Sequence, residues 1–209
     1  DSEYEAFDDD WKNMIVFGDN LQFLKTIYEN KDPLIKDKIK GKVKLIYIDP
    51  PFATTDEFQN KEGAKAYNDK KKGAEFVEFL RKRLIVAREI LADDGSIYVH
   101  LDQKMSHYLK ILMDEIFGKQ NFRNELIWCY TGPSQTSRYF VRKHDTIYFK
   151  SKNDSYIFNT KDLRLPYKKS TASSGKSSFT GNTPDEKIKE LDARGKLVED
   201  WWIDIAGIG

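Results

Sequence analysis

Cysteine, long apolar runs and net charge are all scarce in this 209-residue sequence. The single cysteine, Cys129, excludes a disulfide within the chain and favours a reducing, cytoplasmic compartment. No apolar run approaches the roughly 20 residues that a membrane-spanning helix needs, and the acidic start does not resemble a signal peptide. The remaining composition, 39% hydrophobic and 33% charged residues, is typical of a globular chain that can form a core.

The formal net charge of +1 conceals an uneven distribution of charge. Residues 1–10 carry six acidic side chains and no basic one, whereas residues 134–176 carry ten basic and three acidic side chains, a local balance of +7. Aromatic residues such as Tyr139 and Phe140 are interleaved in this basic segment. The pattern fits a polyphosphate partner, and a solvated basic loop is the other interpretation.

Hydrophobic periodicity predicts an α/β fold. Expected strands cover residues 14–17, 43–48, 96–101, 125–130 and 146–150. Expected helices cover residues 20–28, 76–91, 105–116 and 185–197, and a long polar loop covers 54–73. The alternation of strands and helices predicts a doubly wound, mostly parallel sheet. The last two strands lack a helix between them, so they are expected to form an antiparallel edge.

The tetrapeptide Asp49-Pro50-Pro51-Phe52 stands where the strand at 43–48 ends. Ligands of open α/β sheets bind at the carboxyl ends of strands. The two prolines cannot continue a ladder, so backbone carbonyls stay free beside the Asp49 carboxylate, and Phe52 offers a flat apolar face. The tetrapeptide can also be read as an ordinary proline turn, because Asp and Pro are common turn residues.

Two acceptors and a stacking platform suit one kind of chemistry, methylation of an exocyclic amine on a base. The nitrogen of such an amine is a weak nucleophile because its lone pair is delocalised into the ring. Acceptors that hold its two hydrogens favour a tetrahedral nitrogen whose lone pair points towards a methyl donor. Positioning and electrostatics supply the rate, so neither a metal nor a covalent intermediate is required.

Five motifs in order resemble the permuted, β-class adenine-N6 DNA methyltransferases, which include modification subunits of type III restriction systems. The five segments are Gly18–Leu21, Leu45–Phe52, Asp94–Asp102, Met113–Gly118 and Lys143–Ile147. The resemblance spans most of residues 14–159. It implies a Rossmann-like fold dependent on S-adenosylmethionine, with residues 1–13 as an acidic arm, 14–152 as part of the catalytic core, and 153–209 as the start of a target-recognition or linker region.

The resemblance also implies roles for individual residues. Asp49 and the Pro50 carbonyl would hold the adenine amine. Pro51 would connect these two acceptors to Phe52, and the Phe52 ring would stack on the flipped base. Asp19 and Asn20 would lie near the cofactor, and Asp19 could equally be a helix N-cap. The expected DNA contacts are Tyr67, Arg138, Arg142, Lys143, His144, Lys168 and Lys169. His144 could also be structural, and Asp102 could be a cap or a wall of the pocket.

One departure from the family pattern limits this interpretation. The F-x-G-x-G loop, which approaches the methionine part of the cofactor, is missing, and Gly207 and Gly209 are the nearest glycine pair. The chain is therefore expected to be the catalytic, target-base half of a longer enzyme. Expected partners are DNA and either a restriction subunit or a second copy. The alternatives are a cytosine-N4 or RNA amino-methyltransferase, and a non-catalytic DNA-binding module on the same fold.

Overall fold

The computed structural model describes residues 13–51, 73–133, 136–166, 189–190 and 193–203. In chain order the elements are α1 Asn20–Glu29, β1 Val43–Ile48, α2 Ala74–Ile90, β2 Leu91–Asp102, α3 Ser106–Phe117, a 3₁₀ turn Lys119–Asn121, β3 Phe122–Cys129, β4 His144–Ser151, β5 Arg164–Leu165, β6 Lys196–Leu197 and β7 Trp201–Trp202. No helix within these ranges is long and apolar enough to cross a membrane.

The main sheet is mixed, with the strand order β1-β2-β4-β3-β7. β1 and β2 are parallel, as are β3 and β7, whereas β4 is antiparallel to both β2 and β3. β5 and β6 form a separate antiparallel pair. The α/β class with a mostly parallel sheet, expected from the sequence, is confirmed, and β3 and β4 pair antiparallel as expected. They do not form the edge of the sheet, because β4 lies at its centre and β7 adds beyond β3. The described residues between β3 and β4 form no crossover helix, in keeping with the antiparallel pairing of these strands.

The core lies between β2 and the helices α2 and α3. Alternate β2 residues Ile97, Val99 and Leu101 face this layer and are fully buried. The helices supply apolar residues at helical spacing: Phe76, Leu80, Leu84 and Ala87 from α2, and Leu109, Leu112 and Met113 from α3. Full burial of one such aliphatic side chain contributes about 1.5–3 kcal/mol, so this layer supplies much of the stability that holds the sheet edge in place.

A smaller aromatic cluster covers the other face of β2. Tyr98 stacks on Phe149 of β4 with ring centroids 4.5 Å apart and planes 6° from parallel. Phe149 also contacts Tyr156 and Phe158, which come from the chain that folds back after β4. Both faces of β2 are therefore covered, which agrees with its nearly continuous burial.

A buried lysine joins β4 to α3. The Lys150 ammonium lies 2.5 Å from the Asp114 carboxylate and donates to the Gly118 carbonyl at 2.9 Å. Burial lowers the pKa of Lys150, and its bond to Asp114 opposes that shift. A buried ammonium without a partner would cost several kcal/mol, so the pair fixes the orientation of α3 against the sheet.

Two local expectations are wrong. Residues 14–17 form no strand, and Ile15 and Phe17 are fully exposed. A strand needs a neighbour, and in the described part of the chain the sheet ends at β1 without one for this segment. The helix expected over 185–197 does not extend to residue 197. Gly195 has a φ of +70°, and Lys196–Leu197 forms the strand β6, which pairs with β5.

Candidate active site

Three chain segments bring polar side chains to one edge of the sheet. β1 and β2 run parallel with Ile48 opposite Val99, so Asp49 follows β1 where His100 lies near the end of β2. β4 is antiparallel, and its second residue, Asp145, lies opposite Asp102. The edge is thus the carboxyl edge of β1 and β2, where ligands of open α/β sheets bind.

A cavity of about 450 Å³ opens beside this edge, between α1, α2 and the end of β1. Its lining includes all three of the predicted catalytic residues that the structure describes, and both predicted cofactor residues. These five are Asp19, Asn20, Asp49, Pro50 and Pro51. The Asp49 side chain is 57% exposed, Pro50 is buried and Pro51 is half-buried. The predicted catalytic and cofactor residues therefore meet in one cavity of a size typical of ligand sites.

Arg83 of α2 organises the start of α1. Asp19 is the N-cap of α1, and its Oδ1 accepts from the Gln22 backbone N–H at 3.1 Å. The other carboxylate oxygen of Asp19 pairs with Arg83 at 2.9 Å, and Arg83 Nε donates to Asn20 Oδ1 at 2.7 Å. Asp19 therefore acts as a cap, as one of its two interpretations required. Its carboxylate stays half-exposed towards the cavity, so the second interpretation, a cofactor contact, stays a prediction.

His100 is the buried centre of the polar edge. Its Nδ1 lies 3.3 Å from Asp49 Oδ1, and its Nε2 lies 3.6 Å from Asp145 Oδ2. The pKa of His100 is raised above the usual histidine value, first by the nearby Asp145 carboxylate and also by the charge of Asp49, while burial acts in the opposite direction. The site therefore stabilises a protonated imidazole between two carboxylates.

Three of the predicted DNA contacts lie together beyond this edge. Arg138, Arg142 and Lys143 line a second cavity of about 660 Å³, and Arg142 lies over the Tyr139 ring at 5.1 Å from its centroid. Residues 136–143, which carry these three side chains, are called the basic loop. The Tyr130 N–H donates to the Lys143 carbonyl at 3.0 Å, so the basic loop leads into β4 beside the end of β3. The loop thus extends from the sheet edge that carries Asp49.

The remaining predicted contacts are less informative. His144 is half-buried as the first residue of β4, where it pairs with Cys129. Asp102 caps the turn into α3, because its Oδ1 accepts from the N–H groups of Lys104 and Met105. The predicted site residues Phe52, Tyr67, Lys168 and Lys169 lie outside the described residues.

Sequence reasoning assigned no role to His100, Asp145 or Arg83. His100 could have been noticed as a polar residue in a strand whose neighbours are apolar, because a buried polar group needs a partner. Asp145 and Arg83 carry no such local signal. Their importance depends on which elements pack together.

The fold and the edge define a class, an incomplete Rossmann-like methyltransferase fold. A solved structure of the PvuII DNA methyltransferase (cytosine-N4-specific) superimposes with a TM-score of 0.51 at 15% identity, covering 91% of this chain and 56% of the other. The DNA methylase family, which groups N6 and N4 methylases, matches residues 43–206. The chain belongs to that family.

The chain is also similar in sequence to curated modification methyltransferases. The chain is 43% identical over 156 residues to the type II methyltransferase M.EcaI of Enterobacter cloacae, covering 74% of this chain and 32% of the relative. It is 27% identical over 212 residues to the EcoP15I Mod subunit, a type III restriction-modification enzyme of Escherichia coli, covering 86% and 31%. The chain spans about a third of the length of these relatives. The expected resemblance to modification methyltransferases is confirmed, and the permuted motif order stays a prediction.

The methyl donor of this family is S-adenosylmethionine. The cavity beside Asp49 fits part of such a molecule, because it combines hydrogen-bonding groups on Asp19 and Asn20 with apolar walls formed by Phe23, Leu24 and Ile46. A carboxylate is a natural acceptor for ribose hydroxyls. The residues present are therefore compatible with the cofactor that the sequence predicted.

Proposed function

We propose that the intact protein containing this chain transfers a methyl group from S-adenosylmethionine to the N6 amine of adenine in DNA, as part of a restriction-modification system. The observation that carries the proposal is the meeting of Asp49 and Pro50 with Asp19 and Asn20 in one cavity at the carboxyl edge of the sheet. Membership of a DNA methylase family supports the reaction class, and the shared cavity supports the proposed location beside Asp49.

The residues of this chain act by positioning. When bound, S-adenosylmethionine supplies an electrophilic methyl group. The Asp49 carboxylate accepts one hydrogen of the target amine and the Pro50 carbonyl accepts the other, which directs the nitrogen lone pair outwards. Pro51 keeps the backbone extended so that Phe52 can stack on the flipped base. The buried Pro50 and the structured β1 give these acceptors a fixed frame, which reduces reorganisation during the reaction.

In this proposal the basic loop contacts the DNA. Arg138 and Arg142 extend from the sheet edge that carries Asp49, so a duplex along the loop would bring its bases near the cavity. Residues 153–209 would begin the target-recognition region. The relative named as a Mod subunit supports a restriction subunit as the protein partner, and a second copy of the chain is the other candidate.

Adenine is favoured over cytosine by Asp49, since the cytosine-N4 enzymes more often resemble S-P-P-Y at this position. The similarity to a cytosine-N4 enzyme concerns the fold alone, at 15% identity. A non-catalytic module is disfavoured by the intact tetrapeptide. The identity of the methylated base therefore needs a direct chemical test.

The chemical test of the methylated base compares the wild-type protein with the variant Asp49→Ala. The intact protein is incubated with methyl-labelled S-adenosylmethionine and DNA, and the DNA is hydrolysed to nucleosides so that N6-methyladenine and N4-methylcytosine separate. We expect label in N6-methyladenine, and a loss of roughly 10²–10³ in rate for Asp49→Ala, because one acceptor of the transition state is removed.

Asp93→Ala is the matched control, because Asp93 is an exposed aspartate at the amino end of β2. It should retain the wild-type rate. Label in N4-methylcytosine would replace adenine by cytosine in the proposal. Wild-type turnover by folded Asp49→Ala protein would remove Asp49 from the reaction.

A further inference from the structure

The contact between His100 and Asp49 joins an exposed carboxylate to the buried interior. The His100 side chain is 8% exposed, whereas the Asp49 side chain is 57% exposed. His100 Nδ1 lies 3.3 Å from Asp49 Oδ1, within ion-pair distance. An aspartate that follows the last residue of a strand otherwise has two free side-chain torsions, so a contact of this kind restricts where its oxygens point.

The other side of the imidazole is also held. His100 Nε2 faces Asp145 Oδ2 at 3.6 Å, and the Tyr130 hydroxyl donates to Asp145 Oδ1 at 3.5 Å. The Trp128 ring packs against the imidazole with centroids 5.6 Å apart. β3 and β4 thus each contribute a group that limits rotation of His100, and rigid support of this kind is what a catalytic acceptor needs.

We propose that His100, clamped between Asp145 and Asp49, is a positioning residue that aims the Asp49 carboxylate at the target amine. The inference rests on the proposed methyl transfer. It extends the reaction's machinery from the strand-end tetrapeptide to β2 and β4. His100 does not touch the substrate in this account, and it acts only through Asp49.

The proposal makes methyl transfer depend on pH in a defined direction. The titratable groups around the imidazole are Asp49 beyond β1, Asp145 on β4, Tyr130 beyond β3 and Asp102 on β2. A protonated imidazole donates from both nitrogens and serves both carboxylates, whereas a neutral one donates only once. Because the pKa of His100 is raised, this arrangement is complete at low pH and is lost as the pH rises through that raised value.

The test uses His100→Asn, His100→Leu and Asp145→Asn in the intact protein, with His107→Asn as control. His107 is an exposed histidine of α3 to which the proposal gives no role. Asn keeps a donor near the Nδ1 position, and Leu keeps none. We expect kcat to fall about 10²-fold in His100→Leu and less in His100→Asn, with little change in KM, because misplacement of Asp49 affects the transition state more than binding.

The pH profile separates positioning from a structural role. Wild-type kcat should decline on the alkaline side through the His100 titration. Asp145→Asn should move that decline to lower pH, since Asp145 is the largest cause of the raised pKa, and His100→Asn should abolish it. If His100 is only structural, the variants will change the melting temperature while the kcat of folded protein and its alkaline decline stay as in wild type, which overturns the proposal.

Failure of the inference is distinguishable from failure of the proposed function. If wild-type protein transfers methyl groups and His100→Asn matches His107→Asn in rate and pH profile, only the positioning role is wrong. If the wild-type protein transfers no methyl group to any DNA amine, the proposed function fails and the inference fails with it. Should His100→Leu not fold, His100→Asn and Asp145→Asn decide the outcome.

Discussion

At the scale of single residues, the part of the site that would receive the target base needs an exposed carboxylate on a well-fixed backbone. Pro50 is buried while Asp49 points to an open cavity, so the backbone is anchored at the residue next to the exposed carboxylate. The Pro-Pro step removes two donors from the strand edge and keeps carbonyls unpaired by a neighbouring strand. The same residues would make a poor strand interior, which explains why β1 ends at Ile48.

The role proposed for Phe52, stacking on the flipped base, depends on its aromatic ring and not on charge. Replacement by Tyr should be tolerated, because the ring face is kept, whereas replacement by Ala should weaken capture of the flipped base by about 1–3 kcal/mol. A fluorescent base analogue at the target position of a DNA duplex reports extrusion when the intact protein binds. Phe52→Tyr is the matched control, and equal signals for Ala and wild type would place Phe52 outside the pocket.

At the scale of elements, the start of α1 serves both the fold and the site. The Asp19 cap satisfies a free N–H of the first turn, and Arg83 ties that turn to α2. α1 then packs through Phe23, Leu24 and Ile27 into a small core with β1. One wall of the cavity is therefore a helix end whose position is set by a long-range ion pair.

Two substitutions of Asp19 separate its cap role from a cofactor role. Serine is a good N-cap without a carboxylate, and alanine is neither. Both variants lose the ion pair with Arg83, but only serine keeps the N-cap. Asp19→Ala should therefore lower the local stability of α1, measured by amide hydrogen exchange, by about 1 kcal/mol more than Asp19→Ser does. If the carboxylate contacts the cofactor, both variants of the intact protein should bind S-adenosylmethionine more weakly in calorimetric titrations. Wild-type affinity in Asp19→Ser would leave Asp19 as a cap only.

At the scale of the whole molecule, the basic loop and the cavity beside Asp49 lie at the same edge of the sheet. The basic loop leaves from the ends of β3 and β4 that adjoin His100 and Asp49, while residues 30–42 lie at the opposite edge, before β1 begins. A nearly neutral chain can therefore present a strongly basic surface where a nucleic acid would have to approach.

Removal of two charges from the loop tests this surface. Arg138→Gln/Arg142→Gln in the intact protein should lower affinity for all DNA sequences alike, and the slope of log affinity against log salt should flatten by about 1.8, at roughly 0.9 for each phosphate contact. Lys143 is left in place because its ammonium donates to the Pro133 carbonyl. Lys36→Gln/Lys38→Gln at the opposite edge is the control. An unchanged slope in the arginine variant would leave the loop as a solvated surface.

The sequence by itself determined the features that are local in the chain. β1 was predicted at its observed bounds, α1 and α3 were placed to within about a residue, and the break at Asp49 was placed correctly. These follow from apolar periodicity, capping and proline, which act over a few neighbouring residues. The same local reasoning failed at 14–17, where an apolar run remains exposed because a strand also needs a partner.

Only the tertiary structure decided which side chains meet. His100 reaches Asp49 because β1 and β2 are parallel with Ile48 opposite Val99, and it reaches Asp145 because β4 is antiparallel to β2. Arg83 reaches Asp19 because α2 packs on α1. Register and packing depend on contacts between segments distant in the chain, and no local pattern specifies them. The chemistry of the tetrapeptide is therefore local, whereas the groups that orient it are not.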